Sequence, residues 1–477
     1  MRILLLTHYY APEYGAPQRR WSALVGRFQA AGHRVTVAAP VPHYPGGRPN
    51  PTQRRTHKVG AVERGMHGET VLRTAYLPHR GDIATRTADH LVAALDSLRR
   101  LRRRFARPQD RPDVIVATAP AIPTLLLGRL LSARWGVPLV VEMRDAWPDL
   151  VTQVGGPGRV GPAAAVPAAV VAGVRAAEAG ASEAAGIPAE AGVAAADGAS
   201  VGDDGTRAEP APGTSASRVP VCERWRAAAV ALAKGSVHHL VTEWQTDAHA
   251  VVTTTSRFAE VLRERGVEPV SVVRNGTDLS RVPRQQDRPG REDDELRCLY
   301  LGNMGRSQGL ATVVRAAARL AAEGVGLRVR LIGHGVEATE LQALAEELGA
   351  PVEVMPRIPH REVGRQYAWA DTVIVSLRSW APFAWTVPSK LYEVLATGRH
   401  VTALLDGEAA DIVRAAGAGD VLPPEDVDAL VALWRELAAD RSRTAVRASG
   451  RDWVAEHADD DELARSYLEI LREVVEG

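Results

Sequence analysis

The first forty residues switch between two hydrophobic periods, and that switch confines the chain to the parallel α/β architectures. Arg2-Ile3-Leu4-Leu5-Leu6 is a continuous apolar run of strand length, as expected of a strand covered on both faces. A turn-rich loop, Ala11 to Pro17, leads into a helical pattern from Gln18 to Ala31, with Trp21, Leu24, Val25 and Phe28 at helical spacing. Gly32 stops that helix, and Val35 to Ala39 forms the next strand. Strand, crossover helix and strand in this order pair in parallel. The alternation continues with strand Asp113 to Ala117, helix Pro123 to Trp135 and strand Pro138 to Glu142. Ligands of such sheets bind beyond the strand carboxyl ends.

At 477 residues the chain exceeds what one hydrophobic core usually supports, so two domains are expected. Strand Val251 to Thr254, a helix capped by Ser256 and running to Arg265, and strand Val270 to Val273 complete a first domain over residues 1–285. A polar linker near Val282 to Glu295 opens a second series over 286–452. It runs strand Arg297 to Leu301, helix Leu310 to Glu323, strand Arg328 to Ile332, helix Glu337 to Leu348, strands Val352 to Met355 and Thr372 to Ser376, and helix Lys390 to Ala396. A last helix within 453–477 is expected to cross back to the first domain. The expected fold is therefore α/β, with two doubly wound Rossmann-like domains facing across a cleft. Residues 155–220 stand apart, rich in Ala, Gly, Pro, Ser and Val and without a sustained period. They read as a largely disordered insertion, with an Ala-rich helix near Ala164 to Ala185 as the alternative.

The hydrophobic fraction is 45% and no apolar run is long enough to span a bilayer. The first strand is too short for a signal peptide, so a cytoplasmic protein is expected. Two cysteines, Cys222 and Cys298, cannot supply a disulfide framework or a thiolate metal site. A net charge of +1 argues against a generic nucleic-acid binder.

Chemistry concentrates at Val387-Pro388-Ser389-Lys390-Leu391-Tyr392-Glu393. Free N–H groups and the dipole of a helix start attract anions, and Lys390 adds a full charge. Glu393, one turn deeper, can accept hydrogen bonds from two vicinal ribose hydroxyls. Together they suit a nucleoside diphosphate; a plain helix cap with solvated Lys390 and Glu393 is the alternative. The loop Gly302-Asn303-Met304-Gly305-Arg306-Ser307-Gln308-Gly309 follows a strand and opens a helix. Its glycines allow close backbone approach to a phosphate, and Arg306 can supply charge.

Other segments join these in a fixed order: Tyr9-Tyr10-Ala11-Pro12-Glu13, Gly32 to Val37, Pro42-His43-Tyr44-Pro45-Gly46-Gly47, Arg144-Asp145-Ala146-Trp147-Pro148-Asp149 and Asn275-Gly276-Thr277-Asp278. With them the chain resembles the family 4 retaining glycosyltransferases of the GT-B fold, and within them the WbuB-type branch of bacterial polysaccharide and amino-sugar transferases. The resemblance implies that Glu393 binds the donor ribose, while Pro388, Ser389 and Lys390 bind the diphosphate. Gly302, Asn303 and Gln308 would close over the same phosphates, and Gly15 would approach them from the first domain. Asn303 and Gln308 stand where many relatives carry Arg and Lys, which passes the cationic role to Arg306 and Lys390. The base would lie near Arg357 and Ile358. Asp145 would stand beside the reacting sugar, and Arg20, with Arg19, on the acceptor or phosphate side. Trp385 occupies the position of a second family acid.

The reaction so implied moves a sugar from a nucleotide donor, UDP carrying an N-acetylhexosamine as the family-weighted expectation. The acceptor would be a lipid-linked saccharide or a small molecule. No loop offers a convincing pair of metal-binding aspartates, so neither metal nor other cofactor is expected. Leu98, Leu101 and Phe105 among the arginines of Leu98 to Phe105 could rest on an anionic membrane at the inner face; a solvated helix face is the alternative. Gly333-His334-Gly335 suggests a dinucleotide loop but lacks the third glycine. A non-catalytic nucleotide-sugar-binding protein and an epimerase remain as rivals.

Overall fold

A computed structural model describes residues 1–80, 82–146, 149, 237–285, 295–446 and 449–477. The insertion expected at 155–220 lies outside the described residues, as do residues 286–294 of the linker.

Fourteen strands form two sheets among the described residues. The first contains β1 (Arg2–Leu6), β2 (Arg34–Pro40), β3 (Val62–Arg64), β4 (Thr70–Thr74), β5 (Val114–Thr118), β6 (Leu139–Met143), β7 (Ala250–Thr253) and β8 (Val270–Val272). Its order is β3-β4-β2-β1-β5-β6-β7-β8, parallel except for the β3–β4 hairpin. The second contains β9 (Leu296–Asn303), β10 (Leu327–His334), β11 (Val352–Pro356), β12 (Thr372–Ser376), β13 (His400–Leu404) and β14 (Gly419–Leu422), in the order β11-β10-β9-β12-β13-β14 and all parallel. Chain order reverses at β1 in one sheet and at β9 in the other. Their carboxyl ends are the switch points where a doubly wound sheet opens a crevice, and the loops there start at Thr7 and Met304.

The expected strands and helices are all present, most of them a residue or two longer or shorter than read. The helix expected to be capped by Ser256 is Ser256–Glu264, but the residue before it, Thr255, gives its hydroxyl to the carbonyl of Trp385 at 2.6 Å rather than capping. The crossing at the C-terminus is also divided. Helix Ser449–His457 packs on helix Ser389–Thr397 of the second domain, with Trp453 stacked on Tyr392 at 6.3 Å. Asp459 caps a new helix, Asp460–Glu476, which packs into the core of the first domain. There Tyr467 meets Trp21 edge-on at 5.8 Å and Phe28 at 5.9 Å, and Leu463, Leu468 and Leu471 join the core beneath β1.

The membrane expectation loses its apolar half. In helix Ile83–Arg104 and the residue after it, Leu101 and Phe105 are buried, Phe105 against Trp135 at 5.6 Å, and Leu98 packs on the same core. Arg102, Arg103 and Arg104 are exposed. The spacing that looked like a bilayer-facing stripe is the helix's attachment to its own sheet.

Removing the Tyr467 ring leaves a cavity between the last helix and the first domain. Tyr467→Ala is expected to destabilise the eight-stranded domain by about 3 kcal/mol, read as a shift in its urea midpoint by circular dichroism. A change below about 1 kcal/mol would contradict the clamp.

Candidate functional site

The loop leaving β9 is built around one close approach. Gly302 adopts φ +152°, and a Cβ there would lie 1.8 Å from Lys390 Nζ. Only the absence of a side chain lets the lysine amine rest on this backbone. The same amine stands 3.9 Å from the centre of the Tyr300 ring, a cation–π contact, and it has no hydrogen-bond partner among the described residues. Burial pushes its pKa down to about 7, Glu393 opposing the shift and Arg19 adding to it.

Lys390 lies in the first turn of helix Ser389–Thr397, whose N-cap is Pro388 and whose start has no side-chain cap. The first-turn N–H groups are thus left to solvent or a ligand. Glu393 follows on the same helix. One of its oxygens accepts from the Tyr367 hydroxyl at 3.0 Å, and the other from Arg19 Nη1 at 2.8 Å. Burial, reinforced by Glu393, holds the Tyr367 phenol well above its usual pKa, so it stays a donor. Arg19 comes from the first domain and is half exposed at 51%. It sits in helix Ala16–Ala30, whose N-cap Gly15 also leaves the helix start without a side-chain cap. Two uncapped helix starts, one from each domain, are therefore bridged by the Arg19–Glu393 pair. Arg357, at the end of β11, stands over the Tyr14 ring at 5.6 Å and makes a second cross-domain contact. Ile358 beside it packs on the second core.

The remaining loop residues divide by role. Gln308 accepts from Gly305 N at 3.0 Å and so closes its own turn. Asn303 and Arg306 are exposed. Gly333, part of the suggested dinucleotide loop, packs so closely that a Cβ would lie 1.7 Å from Gly302 O. That glycine serves strand contact between β9 and β10.

Arg20, expected on the acceptor or phosphate side, lies instead within the first domain. It is buried against Glu142, at 3.2 and 3.3 Å, and also donates to the carbonyls of Val273 and Arg274. Its donors are satisfied in the wall of the first domain, and its neighbour Arg19 makes the crossing. Asp145 is partly buried at the end of β6 and forms no hydrogen bond among the described residues. Arg144 beside it is 5% exposed, with Nη2 at 3.4 Å from Asn275 Oδ1 and with Nε and Nη1 unpartnered among the described residues. Burial lowers its pKa, and Asp145 opposes that. Trp147 and Pro148 of this motif lie outside the described residues, and Asp149 pairs with Arg265 at 2.8 Å.

Trp385 is turned to the domain junction. Its ring stacks on Phe258 of the first domain, 6.5 Å away with planes 5° apart. Glu408 ties the same junction, accepting from Arg257 N at 2.8 Å and pairing with Arg274. Tyr300, Tyr367 and Arg144 escape the sequence reading because no motif contains the tyrosines and the arginine stands in the Asp145 motif without a role of its own. Tyr300 had one usable signal, a place two residues before Gly302 on the same strand face.

Residues 295–440 match the family described as Glycosyl transferases group 1. Over 225 residues the chain is 25% identical to the protein named as colanic acid biosynthesis glycosyltransferase WcaL of Salmonella typhimurium, covering 46% of this chain and 55% of that protein. Over 199 residues it is 27% identical to the similarly named WcaI of Escherichia coli, covering 41% and 47%. The chain thus spans about half the length of the curated relatives it matches. Among solved structures, sucrose-phosphate synthase from Thermosynechococcus elongatus superposes with TM-score 0.62 at 15% identity, over 99% of this chain and 98% of that one. Anabaena HepE, solved with UDP and glucose, superposes with TM-score 0.57 at 13% identity, over 99% of each chain. The chain has the GT-B architecture of two Rossmann-like domains, and its residues 295–440 are similar to the glycosyl transferases group 1 family.

Proposed function

We propose that this chain is a glycosyltransferase that takes its sugar from a nucleoside diphosphate donor seated in the cleft. The observation that carries this reading is the Lys390 amine, partly stripped of water, on the bare backbone of Gly302 at an uncapped helix start. An amine in that state gains its charge back when an anion arrives. The diphosphate lies against the N–H groups at Pro388 and Ser389, under the loop of Gly302, Asn303 and Gln308, with Gly15 facing it from the first domain. Glu393, oriented by Tyr367, takes the ribose hydroxyls. As they occupy Glu393, Arg19 is released to the phosphates. The base lies by Arg357 and Ile358.

Departure of the diphosphate builds negative charge on phosphate and positive charge on the sugar. Lys390, Arg306 and the helix-start amides stabilise the first in place, without reorganisation and without a metal. Asp145 faces the second. The sugar keeps its anomeric configuration through same-face displacement, the leaving phosphate taking the acceptor proton. Relatives named for colanic acid biosynthesis support a saccharide acceptor, lipid-linked or small, and the UDP in the HepE structure supports a uridine donor. An N-acetylhexosamine and the WbuB-type branch remain the finer choices. No helix of the described residues is long and apolar enough to cross a membrane. The proposed place is the cytoplasm, and any contact with the inner membrane face would be made by the exposed arginines. A non-catalytic donor-binding protein or an epimerase is the alternative reading.

Calorimetry with UDP-sugars tests the site. Lys390→Ala and Glu393→Ala are each expected to weaken donor binding on the order of 10- to 100-fold, the loss of a charge-assisted contact. Unchanged affinity in both variants would remove the assignment, and tight binding without hydrolysis or transfer would favour the non-catalytic alternative.

Affinity should also depend on pH. The amine of free Lys390 is protonated below about 7 and neutral above, while the donor binds its charged form. Binding of a UDP-sugar is therefore expected to weaken by roughly tenfold per unit above pH 7.5, and Lys390→Arg should flatten the profile. A wild-type profile flat to pH 9 would contradict the depressed lysine.

A further inference from the structure

The loops at the other switch point gather a separate polar cluster that the donor site does not use. β1 delivers His8, the segment after β2 delivers His43, and helix Ile83–Arg104 delivers Asp89. All three are buried, with exposures of 5%, 3% and 0%. His8 Nε2 stands 2.9 Å, and His43 Nε2 2.8 Å, from the same oxygen, Asp89 Oδ2. The three atoms lie within 4.8 Å of one another.

The outer contacts are those of a ligand set. His43 Nδ1 lies 2.7 Å from the carbonyl of Val41, which only accepts, so Nδ1 carries the hydrogen. In neutral His43 the Nε2 lone pair then faces a carboxylate oxygen, an arrangement that requires a proton or a cation between them. The other Asp89 oxygen accepts from Leu77 N at 2.7 Å. Backbone contacts to the far nitrogen of a histidine and the far oxygen of a carboxylate are what orient such groups toward a metal. A second buried carboxylate, Glu13, accepts from His43 N at 2.7 Å and Tyr44 N at 2.8 Å, adding negative charge beside the cluster.

We propose that His8, His43 and Asp89 bind one divalent transition-metal ion of the zinc class. Two imidazoles and a carboxylate suit Zn²⁺, with a fourth position left for water. Ligand atoms of a tetrahedral ion stand about 3.3 Å apart for bonds near 2.0 Å, so the two histidine–aspartate contacts must each open by roughly half an ångström. The ion clips together loops leaving two central strands and the helix that covers them. It thereby fixes the loop from Thr7 to Gly15 that leads into the Arg19 helix. It takes no part in the donor chemistry.

The test uses the full chain, free of any affinity tag and stripped by chelator. Cobalt titration is expected to give intense visible bands of a four-coordinate ion, saturating at about one equivalent and displaced by Zn²⁺. Zn²⁺ should also raise the melting temperature by several degrees. Asp89→Asn and His43→Gln should each abolish the bands while keeping the far-ultraviolet circular dichroism. Wild-type protein that gives no such bands, and no thermal shift with excess Zn²⁺ at pH 7.5, would overturn the site. So would bands and a shift that survive in both variants.

Discussion

The contact on which the cleft depends is the Lys390 amine resting on Gly302 and the Tyr300 ring. Burying an amine without an acceptor is unfavourable, and the fold accepts it here because three separate elements meet at one point. The penultimate residue of β9 is a glycine whose φ admits no ordinary side chain, Tyr300 supplies a π face, and Pro388 starts a helix without capping it. Filling any of these positions would relieve the amine, by moving it off the backbone or by giving it a partner. The proposed anion site is thus built from backbone geometry as much as from charge.

The two domains meet in two zones of different character. At one, Trp385 stacks on Phe258 while Glu408 joins Arg257 and Arg274, and the helix Asp460–Glu476 clamps the first domain from outside. These are buried or partly buried contacts with apolar area behind them. At the other, Arg19 meets Glu393 and Arg357 meets Tyr14, both with an exposed partner. Exposed ion pairs contribute about 0–1 kcal/mol, so this side is the one that can give way. A ligand entering the cleft displaces weak contacts and leaves the apolar junction intact.

Much of this was legible in the chain. Periodicity locates six strands of the first sheet and four of the second, those whose residues form compact apolar runs. Four strands escape that reading: β3 is a short, mostly polar edge held by its hairpin partner, and β4, β13 and β14 mix Thr, Arg, His, Gly or Asp into runs of four or five residues. The Lys390 and Gly302 segments were legible because helix starts and glycine loops announce themselves locally. What decides between neighbours was not. Arg19 and Arg20 are adjacent in sequence, yet one crosses the cleft and the other is buried on Glu142, a difference set by helix phase against β6. Leu101 and Phe105 carried the pattern of a membrane face, and the same pattern fits a helix lying on its own sheet. The His8, His43 and Asp89 cluster could not be read at all, since its members come from three distant segments brought together by strand order.

The central claim is that a nucleoside diphosphate occupies the space between the Lys390 helix and the Gly302 loop. A crystal structure of the chain with UDP tests it most directly. The account predicts phosphate oxygens about 3 Å from Lys390 Nζ and Ser389 N, ribose hydroxyls on Glu393, and Arg19 moved from Glu393 onto the phosphates. Nucleotide bound elsewhere, with Lys390 still on Gly302 and Arg19 still paired to Glu393, would contradict it.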